Sequence, residues 1–359
     1  MPITHLELSE RRSIVDIDAE SWDIRLDQDD FYLTSRWLGL VEDNVQTPVR
    51  YAVLADGERI EAGLPTVIAD INSPWVLGRP DGILEEARRA GQRLPEALSA
   101  QHLDSVRLLP SLVCGGRHMG PTRVAGSRDT EQIRELLGWA LQHAASANVA
   151  SISFPFVDEG DAELRRVLDD RGYHGHLSAE YAILDLPVGG WDAYLASLPG
   201  KRRRRVLADA RQLQASDVTS RLVPLSECNL PELGRLEAQL MSKYGVDWSS
   251  QQTVVALESA IRRFGDGVSV VLSEIRGTLV GFVVLHRWRD SWYTRQAGFS
   301  YDVPEHPPLY FETMYYRPIR EAEGLGVKRI FFGSGSEEAK QSRGCILSRQ
   351  YQYIKLLAN

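Results

Sequence analysis

The chain has 359 residues, 43% of them hydrophobic and 25% charged, with a formal net charge of −8. That length suits two domains, and the ordinary globular composition lets each bury a core. The acidic balance excludes a protein that coats long nucleic acid through overall positive charge. No run of about 18 apolar residues offers a membrane span, so no membrane insertion is expected.

At the N-terminus, Met1-Pro2-Ile3-Thr4-His5 leads into mixed polar sequence without the basic-then-apolar layout of a signal peptide. Tyr51–Ala55 reads as a strand, Asp56-Gly57-Glu58 as a turn and Ala62–Ile68 as a second strand, a hairpin signal. Between Asn72 and Gly120 the pattern is irregular. Ile83–Leu94 reads as a charged helix ended by Pro95, and Leu108–Arg123 as a Gly- and Pro-rich loop with a short strand. A helix follows over Thr130–Asn148, with Ile133, Leu136, Leu137, Ala140 and Leu141 at helical spacing. Ala150–Phe156 is a strand, Ala162–Arg171 a helix and Tyr181–Leu186 a strand.

The short stretch Leu186-Pro187-Val188-Gly189-Gly190 marks the expected seam, with domains over 1–187 and 188–359. The second half repeats the first. Val268–Ile275, the turn Arg276-Gly277-Thr278 and Leu279–Trp288 form a hairpin, Pro308–Glu323 a helix and Val327–Phe332 a strand. A hairpin followed by helix and strand, twice over, predicts an α/β fold of two similar halves.

Lys201-Arg202-Arg203-Arg204-Arg205 opens a helix whose buried stripe is Val206, Ala210 and Leu213. Positive charge at a helix N-terminus opposes the macrodipole at roughly 0.3–1 kcal/mol each, and a docked anion would reverse that cost. Lys201, Arg204, Arg205 and Arg211 are therefore candidate ligands for a phosphate of tRNA, a nucleotide or coenzyme A. The same run reads equally as a solvated charge cluster. Tyr244, Asp247 and Trp248 fall between two helical stretches. They line an acceptor pocket or, for Trp248, cap the core.

The C-terminal part is the densest in candidates. Tyr293–Gly298, which includes Arg295, reads as a strand end, followed by a loop holding Asp302 and His306. On the next helix, Phe311, Met314, Tyr315 and Ile319 form a buried stripe, while Glu312, Tyr316 and Tyr310 face elsewhere. Pro318 inside this pattern predicts a kink or a freed carbonyl. Gly333-Ser334-Gly335-Ser336-Glu337-Glu338-Ala339-Lys340 forms a loop past the carboxyl end of a strand, where such folds carry their sites.

These phrases resemble a known family. Pro308–Glu312 through Tyr315-Tyr316 and Ala322, then Gly333–Lys340 and Arg343-Gly344, are similar to the helix and strand–loop of FemAB-like peptidoglycan biosynthesis/recognition proteins. The basic stretch after Leu198-Pro199-Gly200 is similar too. The resemblance covers about residues 190–355, and layout alone extends it over 1–187. It implies tandem GNAT-like domains, each a mixed, mostly antiparallel sheet flanked by helices. It also implies amide-bond formation by an aminoacyltransferase that uses aminoacyl-tRNA as co-substrate, binds its 3′ end and holds no tight cofactor. The alternatives are an acyl-CoA-dependent N-acyltransferase and a non-catalytic binding module of the same fold.

The sequence departs from the GNAT pyrophosphate loop, Gln/Arg-x-x-Gly-x-Gly/Ala. Only Gln296-Ala297-Gly298 remains, and Pro304, Pro307 and Pro308 have no N–H to give a phosphate. That favours tRNA over coenzyme A. The family's Gly-x-x-Gly-Glu-His-Lys phrase lacks its histidine here and is one residue longer, which shifts Lys340.

Amide formation needs a neutral amine, an activated ester and an oxyanion donor. Glu312 or Asp302 is the candidate carboxylate that orients or deprotonates the amine. Tyr310 is a further catalytic candidate, and Tyr315 is either a substrate contact or core. Lys340 and Arg343 stabilise developing negative charge, or pair with Glu337 and Glu338 at the surface. His306 is a base or a plain loop histidine. The cysteines, Cys114, Cys228 and Cys345, form no CxxC pair or metal spacing. Cys345 has no readable histidine partner, so a thiol nucleophile and a metal site are not expected and a reducing cytoplasm is. The acceptor is read as a small amine, such as a cell-wall or natural-product precursor.

Overall fold

The computed structural model describes residues 6–45, 47–73, 78–99, 105–115, 120–301 and 308–357. Two compact units emerge: residues 1–181 with 348–359, and residues 182–347.

Unit 1 runs through β1 (Glu7–Arg11), α1 (Ala19–Asp23), α2 (Ser35–Asn44), β2 (Val49–Asp56), β3 (Arg59–Ala69), α3 (Pro80–Arg89), α4 (Glu96–Ser99), α5 (Ser105–Leu108), β4 (Ser111–Cys114), α6 (Thr130–Ser146), β5 (Ser151–Asp158), α7 (Ala162–Asp170) and into β6 (His174–Asp185). Strands β1 to β4 pair antiparallel in chain order. The α6 crossover then places β5 parallel to β4, over Ser111↔Ser151 to Val113↔Ser153. The apolar face of α6, Ile133, Leu136, Leu137 and Ala140, packs with Leu112, Ile152 and Phe154 in one buried cluster.

Unit 2 holds α8 (Gly190–Ser197), α9 (Gly200–Gln214), β7 (Val218–Pro224), α10 (Leu230–Lys243), α11 (Ser250–Phe264), β8 (Val268–Ile275), β9 (Thr278–Trp288), β10 (Ser291–Phe299), α12 (Leu309–Phe311), α13 (Arg317–Ala322), β11 (Arg329–Gly333) and α14 (Glu337–Ser342). The last strand, β12, spans Ile346–Leu356. Here β7, β8, β9 and β10 pair antiparallel in chain order, and β11 returns parallel to β10. The pairing scheme of unit 1 is thus repeated. The β8–β9 turn has positive φ at both Arg276 and Gly277, the requirement of a type I′ hairpin. At Gly298 a Cβ would stand 2.5 Å from the Glu237 backbone nitrogen, so only glycine lets α10 lie directly on β10.

The seam differs from the expected 187/188 boundary. The pairing of β11 with Ala182–Asp185 draws the end of β6 into unit 2. Residues 348–359 belong to unit 1, not to the second domain, because β12 pairs with β5 from Gln350↔Asp158 to Leu356↔Ser151. Strand β6 starts seven residues earlier than the sequence pattern indicated, and α3 ends at Arg89, well before Pro95.

The helix expected over 308–323 is broken differently from a simple kink. Between α12 and α13 lies a π-helical segment, Glu312–Tyr316. The Arg317 N–H donates to the Glu312 carbonyl, five residues back. Pro318 supplies no N–H, and the widened turn directly before it accommodates the missing bond.

Candidate active site

Strands β10 and β11 pair in parallel only over Ser291↔Arg329, Trp292↔Ile330 and Tyr293↔Phe331. The Tyr293 and Phe331 rings stack at 4.2 Å there. Beyond this point β10 continues to Phe299 on its own course, with a register shift against β9 between Thr294 and Ala297. Parting parallel strands present their carboxyl ends to a ligand, and the residues that follow β11 stand beside that position.

Those residues build the first cluster. Gly333, Gly335 and Ser336 have φ of 72°, 80° and 56°. These left-handed conformations turn the chain sharply between β11 and α14. The stretch read as a loop therefore contains a short helix, and Lys340 on it points back to the turn. Its Nζ donates to the Gly333 carbonyl at 2.9 Å and the Ser334 carbonyl at 2.7 Å. Lys340 is buried, and burial pulls its amine down to about 8, with Glu337 acting in the opposite direction. An ammonium has three N–H donors, so one remains after both carbonyls are served.

Tyr310 and Tyr315 join this cluster. Their hydroxyls are 3.4 Å apart across the π-helical turn. Burial raises the Tyr310 phenol, while hydrogen bonds with Tyr315 and Ser336 lower it. Tyr315 is fully buried against Phe332 at 4.6 Å, which favours the packing reading for it. Burial also pushes the Cys345 thiol up to about 12, with the charge of Lys340 acting in the opposite direction.

Arg343 is not a surface cation paired with Glu337 or Glu338. Its Nη2 donates to Asp209 Oδ2 at 2.6 Å and its Nε to the Tyr316 hydroxyl at 3.0 Å. Tyr316 in turn donates to the same Asp209 oxygen at 2.6 Å. The guanidinium also stacks on Phe311 at 3.4 Å. Asp209, Tyr316 and Arg343 are all buried, so Tyr316 does not face outward as the helical pattern suggested. A buried charge requires such partners, and this one is committed to holding α9, the π-segment and the α14 turn together.

Glu312 is also buried rather than exposed, and it stands apart from Lys340. Both its oxygens accept from Arg320 Nη1, at 3.0 and 2.9 Å. It lines a cavity of about 240 Å³ with Ala210, Leu213, Gln214, Val218 and Arg320. Among the described residues no hydrogen bond or ion pair joins Glu312 to Lys340. Residues two apart on a helix do not share a face, so Tyr310 and Glu312 serve different neighbourhoods.

The basic helix start is displayed outward. Lys201, Arg202, Arg204, Arg205 and Arg211 are exposed, and Pro199 at the N-cap provides no side-chain bond to the first turn. Arg203 turns back, donating to the Ala196 and Leu198 carbonyls, and Arg211 Nε donates to the Leu207 carbonyl at 3.2 Å. Arg205 reaches Asp209 at 3.4 Å.

On α10 and α11 lies an open groove of about 760 Å³, lined by Arg235, Ala238, Gln239, Ser242, Lys243, Ser250 and Tyr301. Lys243 sits over the Tyr301 ring at 4.3 Å. Tyr244 is 65% exposed beside Lys243, and burial raises the Tyr301 phenol, with Tyr244 and Tyr310 adding to the rise. Trp248 donates from Nε1 to Thr253 Oγ1 at 2.8 Å, which ties its loop to α11 and favours the packing reading. Arg295 is exposed on β10. Asp302 and His306 lie outside the described residues.

Two buried acids of unit 2, Asp209 and Glu237, were not singled out from the sequence. Asp209 interrupts the stripe Val206, Ala210, Leu213, and Glu237 follows Leu233 and Leu236 on the covered side of α10. An acid inside an apolar stripe is the signal in both cases. Burial raises the Glu237 carboxyl to about 7, against a hydrogen bond from Thr253 and the charge of Arg295. Among the described residues, no group of three or more potential metal ligands is present, and no helix is long and apolar enough to cross a membrane.

The twice-repeated sheet with its crossover helices is the fold of tandem GNAT proteins. The chain resembles a tandem GNAT protein from the clavulanic acid biosynthesis pathway, at 11% identity over 99% of each chain with TM-score 0.55. The chain belongs to the FemAB-like family, described as peptidoglycan biosynthesis/recognition, whose model matches residues 114–357. The fold is similar to that of FemX, at 10% identity over 97% of each chain with TM-score 0.63. It is similar also to the C-terminal domain of a putative lysylphosphatidylglycerol synthetase from Agrobacterium fabrum, at 12% identity, 94% of this chain, 90% of that chain and TM-score 0.56. No curated protein sequence matches.

Proposed function

We propose that the protein takes an aminoacyl group from the 3′ end of an aminoacyl-tRNA and forms an amide on an amine acceptor, a cell-wall or natural-product precursor. The observation that carries the tRNA donor is α9. Five exposed cations, Lys201, Arg202, Arg204, Arg205 and Arg211, stand on one helix of a chain whose net charge is −8. No exposed acid accompanies them on that helix, and phosphates are the anions such a display attracts.

In the reaction the neutral amine attacks the ester carbonyl of the aminoacyl group. A C–N bond forms, the C–O bond to the ribose breaks, and the ribose hydroxyl leaves with a proton. The developing oxyanion needs donors that are already in place. We assign these to the remaining N–H of Lys340 and to the Tyr310 hydroxyl. Proximity supplies the rest of the acceleration. The groove bearing Tyr301 and Lys243, with Tyr244 next to Lys243, is assigned to the acceptor, and Arg295 on β10 is proposed as a further substrate contact. Glu312, paired with Arg320, takes no part in this step.

Mass spectrometry of reactions with total charged tRNA and a set of amines, with and without RNase, tests the reading. Amide product that disappears with RNase supports it. Product that forms equally after RNase treatment, or only with acetyl-CoA, replaces it with the acyl-CoA reading.

A further inference from the structure

Glu312 and Arg320 line the cavity of about 240 Å³ in unit 2, and their arrangement is unlike that of an ordinary surface ion pair. The Glu312 side chain is only 9% exposed and that of Arg320 32%. Both Glu312 oxygens converge on the single nitrogen Nη1 of Arg320. The other guanidinium nitrogens of Arg320 make no hydrogen bond to described residues, although a guanidinium carries five N–H donors. Arg320 lies over the Trp191 ring at 4.3 Å, a cation–π contact. The rest of the wall is mostly aliphatic: Ala210 and Leu213 from α9, and Val218 from β7, with Gln214 beside them.

We infer that this cavity binds a small zwitterion, an α-amino acid with a compact aliphatic side chain. Its ammonium would sit against Glu312, its carboxylate on the free edge of Arg320, and its side chain among Ala210, Leu213 and Val218. An ammonium and a carboxylate on one carbon match a carboxylate and a guanidinium held side by side. A ligand carrying both charges engages the outer side of each member of the Glu312–Arg320 pair, whereas a ligand carrying one charge engages only one of them. The volume supports a ligand of this size. It far exceeds the ~10–15 Å³ that admits one water, and it lies below the ~300–1,000 Å³ usual for larger ligands. The inference is independent of the tRNA donor, because neither Glu312 nor Arg320 takes part in the transfer step proposed above.

The test is calorimetric titration of the full chain with L-leucine, isoamylamine and 4-methylpentanoate. These probes share the branched aliphatic tail and carry both charges, the positive one only and the negative one only. L-leucine is expected to bind at least tenfold more tightly than either analogue, and Glu312→Gln and Arg320→Gln each to weaken it by a similar factor. The comparison of three probes on the unaltered protein stands even if a variant fails to fold. No L-leucine binding at 10 mM (roughly the weakest affinity such small ligands retain) overturns the inference. Equal binding of all three probes, or L-leucine binding untouched in both variants, overturns it as well.

Discussion

Asp209 Oδ2 stands 2.6 Å from Arg343 Nη2, with both side chains 5% exposed or less. The first residue belongs to α9, the second follows α14, and Tyr316 of the π-segment bonds to both. One buried carboxylate therefore ties the basic helix to the turn that carries Lys340. Removing either charge strands the other in a low-dielectric interior.

Asp209→Ala and Arg343→Met are each expected to destabilise unit 2 by about 3–5 kcal/mol. The double variant should cost less than the sum, with a coupling on the order of 1–3 kcal/mol. Urea unfolding monitored by tryptophan fluorescence measures all three. Strictly additive losses would mean that the pair contributes nothing as a pair.

Lys340→Met is expected to lower kcat by about 10²–10³-fold if the amine donates to the oxyanion. The free-enzyme pH profile should fall as pH rises through about 8, where the buried ammonium loses its proton. Arginine keeps its charge, so Lys340→Arg should move that falling limb upward if it retains activity. A limb that stays in place in Lys340→Arg assigns it to another group.

How much of this was legible beforehand follows from particular residues. Both hairpins, α6 with its five apolar positions, and the strand–helix–strand order could be read because periodicity and turn residues act locally. The partner of β12 could not be read, since pairing Tyr353 with Phe154 is a long-range choice. The candidate site divided along the same line. Lys340, Arg343 and Glu312 drew attention by residue type and motif, but their partners lie far away in sequence or across a π-turn. Asp209 is 134 residues from Arg343, and the i→i−5 bond before Pro318 shifts every later side chain relative to an ideal helix. A helical wheel puts Glu312 and Tyr316 in solvent, whereas the structure buries both.

Glu237 predicts an unusual pH dependence. Its carboxyl is raised to about 7 by burial, above the value near 4.3 of an unfolded chain. The folded state then binds the extra proton, so stability is greatest below about pH 4.3 for this group and is lost as pH rises through 7. Glu237→Gln should abolish that loss. Relative to its offset at pH 4, the variant should gain on the order of 3 kcal/mol by pH 8. Parallel pH–stability curves for the two proteins would place the titration elsewhere.

Reversing charge on α9 separates binding from folding. Lys201→Glu with Arg204→Glu should weaken tRNA binding more than tenfold and flatten its salt dependence, because fewer counterions are released. Stability should hold or rise slightly, since acids at a helix N-terminus favour the macrodipole. Filter binding at several salt concentrations and a thermal melt give the two readings.

The central claim is that the donor is an RNA-borne ester. Its most direct measurement is transfer of radiolabel from ¹⁴C-aminoacyl-tRNA to a pool of amine acceptors, followed by chromatography of the acid-soluble fraction. The account predicts label in an alkali-resistant amide, formed only with intact RNA and reduced in Lys340→Met. Label that remains on RNA while ¹⁴C-acetyl-CoA yields acylated amine would contradict it.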